Sequence, residues 1–188
     1  MTVGVLVLAA GLSRRFGADK RLALLPSGEK VLAATLRQVQ DSGLPAVVCI
    51  RAVDKPVRDV VSQYGMQAVA CQRSKEGMGA TLAEGISQIP PSWHAVLIVL
   101  GDMPWVQATT YQALAAELLP DTLCRPLHGG RPGHPIGFGE RFFPLLMKSC
   151  GDIGARAVLE THASEITHVA VQDPGIHRDI DLPEDLRP

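Results

Sequence analysis

Short, almost wholly apolar runs recur along the chain: Val3-Gly-Val-Leu-Val-Leu8, Ala46-Val-Val-Cys-Ile50, Gln67-Ala-Val-Ala-Cys71 and Ala95-Val-Leu-Ile-Val-Leu100. A strand with one wet face alternates apolar and polar residues, whereas a strand covered on both faces does not need to. These runs therefore predict buried strands. Between and after them, apolar residues fall at helical spacing over Lys30 to Ser42, Asp54 to Tyr64, Met78 to Ile89 and Val106 to Leu119. Strand and helix alternate, and parallel neighbours need a crossover of helical length, so the pattern predicts right-handed crossovers. The fold class is α/β: a mostly parallel, Rossmann-like sheet in a three-layer α/β/α sandwich.

After Pro120 the rhythm loosens. Leu123 to Leu127 reads as a strand, and His128-Gly-Gly-Arg-Pro-Gly-His-Pro135 as a shaped loop whose glycines and prolines leave no regular element. Helices are predicted over Glu140 to Lys148 and Gly154 to His162, and a strand over Ile166 to Val171. No repeat or linker divides the 188 residues, so one domain over 1–188 is expected.

Composition narrows the partners. With 18 basic against 19 acidic residues the net charge is −1, so no global field attracts nucleic acid or an acidic membrane. The apolar run Val3 to Ala10 is too short to span a bilayer and lacks a basic flank and cleavage site, which predicts a cytoplasmic location. Cys49, Cys71, Cys124 and Cys150 lie far apart, with no CxxC and no histidine at ligand spacing, and read as reduced core thiols.

Chemistry concentrates after the first strand, in Leu8-Ala-Ala-Gly-Leu-Ser-Arg-Arg-Phe-Gly-Ala-Asp-Lys20. Small residues at 9 to 11 let backbone amides approach an anion, while Arg14, Arg15 and Lys20 bring three positive charges to the same loop. A polyphosphate fits, and so does a solvated basic turn. The segment is neither a P-loop nor a GxGxxG fingerprint. Asp102 follows the most apolar run, at the sheet edge where open α/β folds bind ligands. Its carboxylate suits magnesium, and equally a helix cap. Gly77 and Gly79 let the chain pass close to a flat ring, or merely open the helix near Met78. His128 and His134 lack a third ligand. His134 reads as a polar contact for a substrate or as a loop histidine against a proline, and Trp93 and Trp105 as packing.

The motifs LAAGxSxRFGxxK (Leu8 to Lys20), Glu76 to Leu82, Leu100 to Pro104, Gly133-His-Pro135, Gly151 to Arg156 and Asp179 to Leu186 together resemble the MobA-like NTP transferase family over nearly the whole chain. Within it, Gly133-His-Pro135 with Gly151-Asp152 and Gly154-Ala-Arg156 is similar to the molybdenum-cofactor cytidylyltransferase (MocA-like) branch. The resemblance implies a nucleotidyltransferase domain of GT-A-like type, with residues 1–105 as nucleotide half and 106–188 as acceptor half. It implies transfer of CMP from CTP to the terminal phosphate of molybdopterin, release of pyrophosphate, and a Mg2+ cofactor. Arg15, Lys20 and Asp102 are implied as catalytic. Nucleotide contacts are implied for Leu8, Ala9, Ala10, Gly11, Ser13, Arg15, Lys20, Gly77, Gly79, Thr81 and Asp102. Asp102 and Asp181 are implied as metal ligands, with Asp179 a competitor for the second place. Acceptor contacts are implied for His134, Pro135, Gly151, Asp152 and Arg156, and a transient contact with a molybdenum hydroxylase is expected. Ala10, where glycine is the alternative, goes with the pyrimidine-using branch. Cys71 and Thr81 depart from the asparagine and serine expected at those positions. The same fold with GTP or a sugar-phosphate acceptor is an alternative. So is a chaperone that holds the cofactor without catalysis, for which Arg15, Lys20, Asp102 and Asp181 would serve no purpose.

Overall fold

Val5, Leu6 and Val7 are consecutive and none exposes any surface, so their strand is covered on both sides. A computed structural model describes residues 1–13 and 15–187 of the chain. Arg14, one of the three cations expected in the loop after that strand, lies outside the described residues. The first half alternates β1 (Thr2–Leu8), α1 (Val31–Asp41), β2 (Ala46–Arg51), α2 (Lys55–Gln63), β3 (Gln67–Cys71), α3 (Met78–Ile86) and β4 (Trp93–Leu100). The second half continues with α4 (Ala108–Glu117), β5 (Leu123–His128), β6 (Arg131–Pro132), β7 (Ile136–Gly139), α5 (Phe143–Leu146), α6 (Arg156–Thr161) and β8 (Ile166–Ala170).

The eight strands form one sheet in the order β3-β2-β1-β4-β7-β5-β6, with β8 on β5. β3, β2, β1 and β4 run parallel, as do β5 and β8. β7 is antiparallel to both β4 and β5. Leu32, Leu36 and Val39 of α1, Val57 and Val60 of α2, and Tyr111 and Leu114 of α4 pack on one face. Leu82 and Ile86 of α3, Phe142, Leu146 and Val158 pack on the other. These are the two outer layers of the sandwich. Gly4 of β1 is part of the second face, because a Cβ there would overlap the ring of the buried Trp93.

The structure departs from the sequence reading at four points. The segment 128–135 does carry a regular element: β6 pairs antiparallel with β5 through Leu127↔Pro132, and as an edge strand it tolerates a proline without an N–H. β7, which periodicity did not reveal, is Ile-Gly-Phe-Gly; its Gly137 is there because a Cβ would strike Cys124 Sγ and Leu118. The cysteines are not all core thiols, since Cys150 is exposed while Cys49, Cys71 and Cys124 are buried. The last two helices are also shorter than the pattern suggested. Residues 140–142 form a 3-10 turn ahead of α5, and Gly154, at φ +57°, stops α6 from starting before Arg156.

Candidate functional site

β1 sends its chain to β2 on one side, and β3 returns across to β4 on the other, so the carboxyl ends of β1 and β4 border a crevice. There the structure has a cleft of about 590 Å³. One wall is the loop after β1, with Leu8, Ala9, Ala10, Gly11, Ser13, Arg15 and Lys20 at the surface. Opposite stand Gly77, Met78 and Thr81 at the start of α3, and at the floor Leu100, Gly101 and Asp102 follow β4.

The third side comes from the end of the chain. Ile180 is wholly buried against Leu25, Val31 and Ala34, and its N–H donates to the Asp102 carbonyl at 3.0 Å. With Ile180 anchored inward, Asp179 and Asp181 on either side of it reach the cleft. Asp185 accepts from the backbone N–H of Asp181 and Leu182 at 3.0 and 2.7 Å, fixing the turn.

The charges meet in one cluster. Lys20 Nζ lies 2.6 Å from Asp102 Oδ2 and 3.0 Å from Asp181 Oδ1, and Arg15 reaches Asp181 Oδ2 at 3.0 Å. Burial pulls the Lys20 ammonium down, but the two carboxylates outweigh it and hold its pKa above the usual lysine value. Burial likewise raises the Asp102 carboxyl, and Lys20 only partly offsets that. The Lys20 hydrogen bond, followed by the charges of Lys20 and Arg15, keeps Asp181 below the usual carboxylate range. Asp102 Oδ1 is buried and has no hydrogen-bond partner among the described residues, an acceptor left open toward a cation or donor. Among the described residues no three His, Cys, Asp or Glu side chains converge to metal-ligand geometry, so Asp102 and Asp181 would leave most of a cation's shell to other oxygens.

The expected acceptor residues do not converge. Asp152 stands in the wall of the same cleft, because the turn before it packs on the start of α3: Gly79 N–H donates to the Gly151 carbonyl at 2.7 Å. A Cβ on Gly77 would strike that carbonyl and one on Gly79 would strike Cys150, so both glycines are required by this docking. Arg156 is exposed and pairs with Glu160 at 2.7 Å, one helical turn on. His134 and Pro135 lie on the β6–β7 connection; His134 N–H donates to the Ile176 carbonyl, and burial together with the neighbouring Arg125 pushes its ring down to about 4. Thr81 spends its hydroxyl on the Gly77 carbonyl of its own helix. Cys71 Sγ is buried behind it, 3.9 Å from the Thr81 carbonyl.

Sequence reasoning passed over Arg21 and Lys75, which also line the cleft. Each had a signal: Arg21 follows Lys20 directly, and Lys75 is a cation one residue from the Glu76-Gly77 motif.

This α/β fold, with a loop of small residues and cations after β1, a carboxylate after β4 and a second carboxylate beside it, is of the nucleotidyltransferase class. The chain belongs to the MobA-like NTP transferase domain family, whose profile matches residues 5–166. It is 30% identical over 127 residues to the bifunctional protein GlmU of Azotobacter vinelandii, an alignment that takes in 65% of this chain and 27% of that one. The chain thus spans about a quarter of the length of the curated relatives it matches. The crystal structure of Rv0371c from Mycobacterium tuberculosis H37Rv superposes with a TM-score of 0.87 at 24% identity, covering 98% of this chain and 95% of that one. A second structure of Rv0371c is a complex with manganese, with a TM-score of 0.81 at 21% identity and coverage of 98% and 95%. Molybdopterin-guanine dinucleotide biosynthesis protein A from Archaeoglobus fulgidus superposes at 0.68 with 19% identity, covering 97% of this chain and 94% of that one. No helix of the described residues is long and apolar enough to cross a membrane.

Proposed function

We propose that the chain transfers CMP from CTP to the terminal phosphate of molybdopterin, releasing pyrophosphate. The observation that carries the nucleotidyl-transfer reading is the meeting of Arg15, Lys20, Asp102 and Asp181 beside the amides of residues 9–11 in one cleft. In the reaction an oxygen of the acceptor phosphate bonds to the α-phosphorus of CTP while the bond from that phosphorus to the bridging oxygen breaks, and pyrophosphate carries the charge away. A phosphate is already ionised near neutral pH, so the site needs no strong base, and positioning with charge neutralisation supplies the catalysis. Lys20 and Arg15 stabilise the β- and γ-phosphates, and the backbone at Gly11 holds them in line. Asp102, with its open Oδ1, and Asp181 suit a divalent ion such as Mg2+, which when bound would neutralise phosphate charge.

The choice of CTP rests on Ala10 in the cleft wall and on the resemblance of the phosphate loop to the pyrimidine-using branch. The molybdopterin acceptor rests on the resemblance carried by Gly133-His-Pro135 and Gly151 to Arg156, and the Archaeoglobus fulgidus protein of like fold bears the name of a molybdopterin-guanine dinucleotide protein. Asp152 is then the acceptor contact nearest the reacting phosphates, with His134, Pro135 and Arg156 farther out. The experiment is pyrophosphate release from CTP, GTP, UTP and ATP, each with molybdopterin and with sugar phosphates. Release with CTP and molybdopterin is the expected result. Equal or faster turnover with GTP overturns the base, release only with a sugar phosphate overturns the acceptor, and tight cofactor binding with no release on any combination favours a chaperone.

A further inference from the structure

The loop that borders the cleft is closed at its base by four charges that the reaction itself does not use. Arg21 has only 3% of its surface exposed, yet it touches the cleft. Its guanidinium donates to the Ala9 carbonyl at 2.5 Å from Nη1 and to both carboxylate oxygens of Asp19, at 2.8 Å from Nε and 2.5 Å from Nη2. Nη1 also lies 2.8 Å from Asp54 Oδ2. Arg51, at the end of β2, bridges the same two carboxylates, Asp19 and Asp54, at 2.7 Å each. Two arginines and two aspartates thus form a neutral, interlocked set.

Asp54 shows what the set is for. It occupies the position before α2 where an aspartate ordinarily caps the helix, but it makes no capping hydrogen bond; its carboxylate is turned to the arginines instead. Ala9 and Asp19 are the two ends of the phosphate loop, and Arg21 holds both. In a trans peptide the carbonyl and the N–H point in opposite directions, so fixing the Ala9 carbonyl fixes where the Ala10 N–H points. Ala10 and Gly11 line the cleft, and among the described residues their N–H groups donate to no protein acceptor.

We infer that Arg21, locked by Asp19, Asp54 and Arg51, is the positioning residue that presents the Ala10 amide to the pyrophosphate portion of the nucleotide. The inference rests on the nucleotidyl-transfer reading of this cleft. Lysine in place of Arg21 keeps the charge but has no planar fork, so it cannot hold Ala9, Asp19 and Asp54 together. The fork is therefore the property under test.

Pyrophosphate and CMP are titrated calorimetrically into the full-length wild type, Arg21→Lys and the charge-neutral double variant Arg21→Met/Asp54→Asn, with a melting temperature for each. The expected result is pyrophosphate affinity lower by roughly tenfold or more in both variants, with CMP affinity within about twofold of wild type, because CMP lacks the phosphates the amide serves. Unchanged pyrophosphate affinity in folded variants overturns the inference and leaves the network a purely structural one, and so does failure of both variants to fold. Equal losses for pyrophosphate and CMP also overturn it, because the effect is then not confined to the phosphate loop. If the wild type binds neither pyrophosphate nor any nucleoside triphosphate, the nucleotidyl-transfer reading falls and takes this inference with it.

Discussion

The Lys20 ammonium is the counter-ion of Asp102: Nζ and Oδ2 are 2.6 Å apart, and the same ammonium holds Asp181 Oδ1 at 3.0 Å. It therefore fills the space between the two carboxylates that a divalent ion would share. Lys20→Met is expected to bind Mn2+ without nucleotide at least about tenfold more tightly than wild type, since Asp102 then lacks its cation and Asp181 keeps only the exposed Arg15. An electron-paramagnetic-resonance titration of free Mn2+ checks this, and equal affinity would show that the ammonium does not compete. On the proposed mechanism pyrophosphate release by the same variant falls, because a cation assigned to the leaving group is gone.

Asp102→Asn is nearly isosteric and leaves Lys20 paired with Asp181. The fold is expected to persist while turnover falls roughly a thousandfold, the scale of losing one charge-stabilising contact of several kcal/mol in a transition state. A variant that keeps more than a tenth of wild-type pyrophosphate release would remove Asp102 from the mechanism.

Gly79→Ala sets a methyl against the Cys150 backbone, 2.5 Å from its carbonyl oxygen, and that contact is with main chain that cannot rotate away. The 150–152 turn is displaced, and overpacking of this kind costs about 1–3 kcal/mol. Urea unfolding reads the loss. Because Asp152 moves with the turn, substrate affinity falls in the same variant; full affinity with lowered stability would detach Asp152 from the site.

His134 titrates at about 4 in the fold, below the value near 6.5 of an unfolded histidine. Between these values the unfolded chain binds the proton more tightly, so the contribution is intact above about pH 6.5 and is lost as pH falls through about 4. Wild type should lose about 2–3 kcal/mol between about pH 7 and about pH 4.5 through this group, and His134→Gln should lose less by that amount. Parallel stability curves for the two proteins, measured by denaturant unfolding across that range, would contradict the assignment.

The parallel half of the sheet was legible because doubly covered strands write themselves as unbroken apolar runs; β3 coincides with the run Gln67 to Cys71. Asp102 stood out for the same reason, as the first charge after such a run. β7 was illegible because two of its four residues are glycines demanded by neighbours distant in sequence, Cys124 and Leu118 at Gly137 and the backbone of Leu119 and Pro120 at Gly139. The second carboxylate of the cluster came from motif resemblance, whereas its physical cause, Ile180 buried between two aspartates and bonded to Asp102, is a tertiary contact. Arg21 reads as one more surface cation until Asp54 and Arg51, some thirty residues away, are brought beside it.

Leu8 and Leu100 are partners in the ladder between β1 and β4, and the phosphate loop and Asp102 each begin within two residues of that pair. The roots of the β1 loop and of the segment that carries Asp102 are thus held one strand spacing apart, about 4.8 Å. Asp152, by contrast, is carried on a surface turn between α5 and α6 that rests on the start of α3. On the proposed acceptor role of Asp152, changes of length or sequence in that turn would retarget the acceptor without moving those two roots, so substrates could diversify one rim at a time.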